Sequence, residues 1–165
     1  MSAVPVCGAP PFDSRQFRRA LSQFATGVTV ITARLPDGAF VGVTINSFNS
    51  ASFEPPLVLW SLAHTAASMA AFSASTGYVI NVLAGDQIEL AQRFAEPGDG
   101  RFNTVSYSLS GQGIPVLAGS VAWFECHHRS CYVEGDHVIF VGAVERCHSH
   151  PRRTLGFHRG RFIAI

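Results

Sequence analysis

VTVITARLPDGAFVGVTI, residues 28–45, reads as a β-hairpin and decides the fold class. VTVITAR (28–34) is rich in β-branched residues, which suit a pleated strand better than a helix. Pro36-Asp37-Gly38 then supplies turn chemistry, Pro with its φ already fixed and Gly free to take positive φ, before FVGVTI (40–45) resumes the strand pattern. Upstream, Asp13 with Gln16 three residues later has the pattern of a capping box. Phe17, Ala20, Leu21 and Phe24 follow at helical spacing, so an amphipathic helix precedes the hairpin and Gly27 stops it. Residues 1–12, Pro- and Ala-containing without periodicity, read as a flexible N-terminal arm, and 13–165 as the folded domain.

Downstream, Asn46 to Ser52 is small and polar and reads as a connecting loop, Pro55-Pro56 excludes helix, and LVLWSL (57–62) is a short apolar run suited to a buried strand. Thr65 is placed to cap a short helix through Phe72. YVINVL (78–83) is another strand, and Asp86 is placed to cap the helix QIELAQRF (87–94). Gly and Pro punctuate 95–119. VAWFECHH (121–128) and HVIFVGAVER (137–146) then read as two long strands around a Gly135-Asp136 turn, with GRFIAI (160–165) as a final strand. Roughly six or seven strands and about three short helices, never in regular strand–helix alternation, predict a mainly β protein, and a closed antiparallel barrel with helical decorations is the economical architecture.

The chain has 165 residues, 47% hydrophobic and 14% charged, with 12 Lys and Arg against 11 Asp and Glu. Such a composition excludes ordinary disorder, and near-neutrality gives no footprint for nucleic acid or an anionic membrane surface. Thirteen Phe residues leave more apolar surface than one small domain hides, which predicts a homodimer. No apolar run reaches the ~18 residues of a bilayer span, and the N-terminus lacks a signal-peptide pattern, so the expected location is the cytoplasm. Cys7, Cys126, Cys131 and Cys147 are spaced too irregularly for a disulfide framework and read as reduced thiols.

GxGxxG, Walker, HExxH, GxSxG and paired CxxC motifs are absent. Cys126, His127, His128 and Cys131, followed by Cys147, His148 and His150, raise the question of zinc. Their placement along strands rather than on tight knuckles favours a buried thiol and solvent-facing imidazoles, and no metal is expected. The polar stretch Thr44, Asn46, Ser47, Asn49, Ser50 and Ser52 is either a plain loop or a set of short donors and acceptors able to read the edge of a flat heterocycle. Ser68 and Arg93 are candidate phosphate donors near the start of the helix after Thr65.

FATGVTVIT (24–32), VGVTINSFNSASFEPPLVL (41–59), INVLAGDQIELAQRF (80–94), GDHVIFVGAV (135–144) and LGFHRGRF (155–162), in this order, resemble the flavin reductase family with the FMN-binding split-barrel fold, and within it the short-chain reductase components of two-component flavin-dependent monooxygenases. The resemblance implies a Greek-key-like split β-barrel, a homodimer with flavin near its interface, hydride transfer from NADH or NADPH to FMN or FAD, and delivery of reduced flavin to a partner monooxygenase. It implies that the flavin ring contacts Phe40, Val41, Gly42, Val43 and Thr44 and the Asn46-Ser47 pair, with Trp60, Ser61 and Leu62 lining the pocket. The phosphate falls near Ala66, Ala67 and Ser68, where family members often carry a second hydroxyl or a basic residue; Arg93, beside Phe94, is the candidate for the missing charge. For the nicotinamide it singles out His137, as the orienting and catalytic group, and Phe157, His158, Arg159 and Gly160. His158 replaces a common aromatic hydroxyl residue, and Arg161 stands where small or acidic residues are frequent, leaving NADH and NADPH both open. Two alternatives remain: a split-barrel flavoprotein that retains its flavin and acts on another substrate, and a non-enzymatic flavin- or haem-binding barrel.

Overall fold

The structure, a computed structural model, describes residues 11–98 and 100–165; most of the expected N-terminal arm, residues 1–10, lies outside the described residues. In chain order the elements are α1 (Ser14–Leu21), β1 (Thr26–Gly27), β2 (Thr29–Arg34), β3 (Phe40–Ile45), β4 (Asn49–Phe53), β5 (Pro56–Ala63), α2 (Met69–Ala74), β6 (Gly77–Val82) and α3 (Ile88–Ala95). They continue with the short β7 (Tyr107–Leu109) and β8 (Pro115–Leu117), the long β9 (Ala122–Glu134) and β10 (His137–Ser149), and finally β11 (Leu155–His158) and β12 (Arg161–Ala164).

A seven-stranded antiparallel sheet in the order β3-β2-β6-β9-β10-β5-β4 carries the fold, and smaller sheets, β1-β11-β12 and β7-β8, pack around it. The mainly β, antiparallel architecture with short helices is as expected. The barrel is split rather than closed, because β3 and β4, the edges of the main sheet, are not paired with one another. The β2–β3 hairpin forms as the sequence predicts: Gly38 takes φ 88°, and Asp37 Oδ1 accepts from the Ala39 amide at 2.9 Å. β9 and β10 run 13 residues each from a Gly135-Asp136 turn. Register shifts at Val141/Gly142 and Val144/Arg146 add the local twist that lets so long a ladder curve.

Inside the barrel Trp60 stacks on Phe140 at 4.4 Å and meets Phe72 and Tyr78 edge-on, all four fully buried. Gly142 has to be glycine there, since a Cβ would lie 2.4 Å from the Tyr78 hydroxyl. A second apolar cluster, including Val28, Leu83, Phe94 and Leu155, fastens α3 and the β1-β11-β12 sheet to the barrel.

Four local expectations change. The stretch 46–52, expected as a loop, contains most of β4, a mostly exposed edge strand with no apolar alternation to announce it. The helix expected from Thr65 starts at Met69, and Thr65–Ser68 instead forms turns closed by Ala66 N–H to Ala63 C=O and Met69 N–H to Ala66 C=O, each 3.0 Å. Gln87, not Asp86, is the N-cap of α3; Asp86 Oδ2 accepts from Arg152 at 2.7 Å. The punctuated 95–119 region holds β7 and β8. α1 forms with its Asp13 cap as expected, Gln16 N–H donating to Oδ1 at 2.6 Å, yet Phe17, Leu21 and Phe24 are exposed.

Candidate functional site

The edge strand β3 borders a cavity of about 1100 Å³. Phe40, Val41 and Val43 form its strand side, the Thr65–Ser68 turn with Ala71 of α2 a second side, and Phe94 with the 96–107 segment a third. The site arises where it does because β3 has only β2 as a ladder neighbour, so its free edge faces the split instead of another strand. Pockets for small molecules and cofactors usually hold about 300–1,000 Å³, with apolar walls and a few polar groups. This cavity is slightly larger than that range, and its walls mix polar and apolar surface about equally. Phe40, Phe102 and Tyr107 stand edge-on to one another with centroids 5.7–5.9 Å apart, and Phe94 meets Phe102 at 5.0 Å, giving one wall a rigid aromatic lining. Ser68 brings a hydroxyl that makes no capping bond to α2. Among the described residues, the charged side chains on the lining are Glu96 and Arg101.

Arg101 is held by the end of α3. Its Nη1 donates to the carbonyls of Glu96 at 3.0 Å and Phe94 at 3.5 Å, and its guanidinium carbon lies 5.7 Å from the Phe94 ring centroid. The carbonyl end of a helix attracts cations, which fixes the side chain at the cavity wall.

Of the residues implied by the resemblance, Phe40, Val41, Val43, Ala66, Ala67, Ser68 and Phe94 come together on this cavity. Others are placed elsewhere. Gly42 lies under α3, where a Cβ would sit 2.7 Å from the Phe94 ring, and Thr44 Oγ1 donates to the Ala91 carbonyl at 2.6 Å; strand alternation turns both from the face that Val41 and Val43 share. Trp60 and Leu62 are buried in the barrel interior, so they support the strand rather than line the pocket. Ser47 and Ser61 bind each other: Ser47 Oγ donates to the Ser61 carbonyl and accepts its amide, both at 3.0 Å, which ties the β3–β4 connection to β5, while Asn46 is exposed beside them. Arg93 donates to Thr104 Oγ1 and lines a separate cavity of about 270 Å³ with Asp86 and Glu89.

His137 opens β10, and its Nδ1 lies 2.6 Å from Asp136 Oδ1. The hydrogen bond and charge of His137 hold the Asp136 carboxyl below its ordinary value. The Asp136 carbonyl in turn accepts the His64 amide at 3.0 Å, so this turn abuts the chain just before Thr65. Phe157 packs on Phe162 beneath the second apolar cluster; Arg159, with φ 50°, is tethered by Gln23 Oε1 at 2.9 Å and by its amide to the Ser22 carbonyl at 3.1 Å. His158 and Gly160 flank it in the β11–β12 hairpin, away from the cavity lining. Arg101, Phe102 and Tyr107 are among the lining residues that sequence reasoning missed. Their one signal is a cation among aromatics, RFNTVSY (101–107), inside a stretch that Gly and Pro disguise as plain loop.

The flavin reductase like domain matches residues 21–165. The FMN reductase (NADH) SmoA of Agrobacterium fabrum strain C58 is 43% identical over 91% of this chain and 85% of its own length. The reductase component of the flavin-dependent trigonelline monooxygenase of Acinetobacter baylyi is 38% identical over 90% of this chain, which spans 48% of that longer protein. The solved Streptomyces globisporus C-1027 NADH:FAD oxidoreductase SgcE6, in complex with NAD and FAD fragments, superposes with a TM-score of 0.87 at 37% identity, covering 93% of each chain. With the match running through the barrel, α3 and the terminal hairpin alike, this chain belongs to the flavin reductase-like family and is a flavin-reducing oxidoreductase.

Proposed function

We propose that the chain is an NADH-using flavin reductase that binds FMN or FAD in the cavity along β3, acts as a cytoplasmic homodimer folded as one unit over 13–165, and hands reduced flavin to a partner monooxygenase. The observation that carries this reading is the cavity itself: nucleotide-sized, aromatic on one wall, and hydroxylic and cationic where a phosphate needs partners. A bound flavin supplies an electron-accepting ring whose N5 takes hydride from C4 of the reduced nicotinamide. The chain's own part is to hold two flat rings in register and to exclude water, which needs no general base. Phe40, Val41 and Val43 give the apolar face, and Ser68 the polar end. Asp136 Oδ1 engages His137 Nδ1 and so orients the ring, leaving Nε2 as the nitrogen that meets the nicotinamide carboxamide.

The test is steady-state NADH and NADPH oxidation by the purified protein with no added flavin, with FMN, and with FAD. The expected result is NADH turnover that rises and saturates with added flavin. Turnover independent of added flavin would assign a retained prosthetic group instead, and none in any mixture would leave a binding-only barrel.

A further inference from the structure

We propose that Arg101 makes this cavity select phosphorylated flavins over unphosphorylated riboflavin, acting as the phosphate-reading residue. The inference rests on the reading of the cavity as a flavin site. The Thr65–Ser68 turn brings the Thr65 and Ser68 hydroxyls to the cavity and no cation. Arg93 cannot make up the charge from where it stands, bonded to Thr104 and facing a cavity that also carries the carboxylates of Asp86 and Glu89. Among the described residues, Arg101 is the one cation on the large cavity.

Its geometry suits the role. Among the described residues, both of its hydrogen bonds leave from Nη1, and the Nη2 and Nε donors of the planar fork have no partner there. A guanidinium already fixed by two carbonyls and an aromatic face loses little freedom when it binds, and its remaining donors match phosphate oxygens two at a time. The competing role is purely structural, a cation closing the carbonyl end of α3. The two roles differ in what they predict for a ligand that lacks phosphate.

Dissociation constants for FMN and riboflavin, measured by flavin fluorescence quenching without nicotinamide, separate them. Wild-type protein is expected to bind FMN more tightly than riboflavin. Arg101→Ala should weaken FMN by about 10- to 100-fold, the scale of a lost charge-assisted hydrogen bond or two, while riboflavin shifts by less than about 2-fold. Arg101→Lys, which keeps the charge but not the fork and guards against misfolding of the alanine variant, should fall between them and show FMN binding that weakens with salt. Equal weakening of both flavins in the Arg101 variants would reduce the residue to a helix cap and overturn the proposal. So would FMN affinity lost in Arg93→Ala but kept in Arg101→Ala, or a wild type indifferent to phosphate. Wild-type protein that binds neither flavin would instead sink the reading of the cavity.

Discussion

His137 Nδ1 is engaged by Asp136 at 2.6 Å, while the ring itself is exposed at the first position of β10. A side chain held this way and unused by the core should matter to a ligand and little to folding. His137→Ala is therefore expected to raise the KM for NADH about tenfold, the equivalent of one hydrogen bond, with the affinity for flavin and the melting temperature close to wild type. Unchanged NADH kinetics in that variant would remove His137 from the nicotinamide site. At this scale the sequence was only half legible. GDH announced a turn and a histidine, and the hairpin places both. LVLWSL, by contrast, is apolar on both faces, so nothing in it told that Trp60 turns into the barrel. Arg101 was illegible because its role comes from the end of α3 and the Phe94 ring, contacts that chain order does not display.

At the scale of elements, the loop before β8 is clamped to the β9–β10 ladder by a buried carboxylate. Glu125 is 1% exposed, accepts the Gln112 amide at 2.7 Å, and lies 3.7 Å from Arg146 Nε. Gln112 Nε2 also donates to Glu145 at 2.9 Å, whose other oxygen is 2.8 Å from His127 Nε2. Burial alone would raise the Glu125 carboxyl, but the Ser110 hydroxyl, the Gln112 and Gly111 amides and the Arg146 guanidinium together hold it below its ordinary 4.5. A carboxyl depressed by folding contributes stability that is complete above about pH 4.5 and fades as the pH falls through the lower native value. Glu125→Gln is expected to cost about 1–3 kcal/mol near neutrality and to flatten the acid limb. Thermal melts of both proteins between about pH 3 and pH 7 check this; parallel curves would show that the carboxylate charge contributes nothing. Elements with a period or a turn signal, such as the β2–β3 hairpin and α1, were readable from residues alone. β4 was not, because a polar edge strand is specified by its neighbour β5 rather than by its own pattern.

For the whole molecule, the apolar excess has a location. Phe12 and Phe17 stack at 5.6 Å, and with Leu21 and Phe24 they leave an apolar stripe on and around α1, 43–74% exposed. If the stripe is the dimer contact, sedimentation should report a dimer for the native chain, and Phe17→Glu with Leu21→Glu a shift to monomer with the barrel intact by circular dichroism. A dimer that survives both changes would place the interface on another face. The β content and antiparallel order followed from the sequence because alternation and turns are local. The split was legible only through the family resemblance and not from strand patterning, which pointed to a closed barrel: whether the outer strands of a sheet meet depends on accumulated twist and on what fills the gap, here the cavity and its aromatic wall.

β1 finds its partner near the other end of the chain, Thr26 opposite Phe157 and Gly27 opposite Gly156, and the Val28 amide donates to the Leu155 carbonyl at 3.0 Å. During synthesis those first strands leave the ribosome long before anything exists to cover them. The nascent chain therefore carries β1 as an unpaired strand edge until residues 155–158 emerge to pair with it.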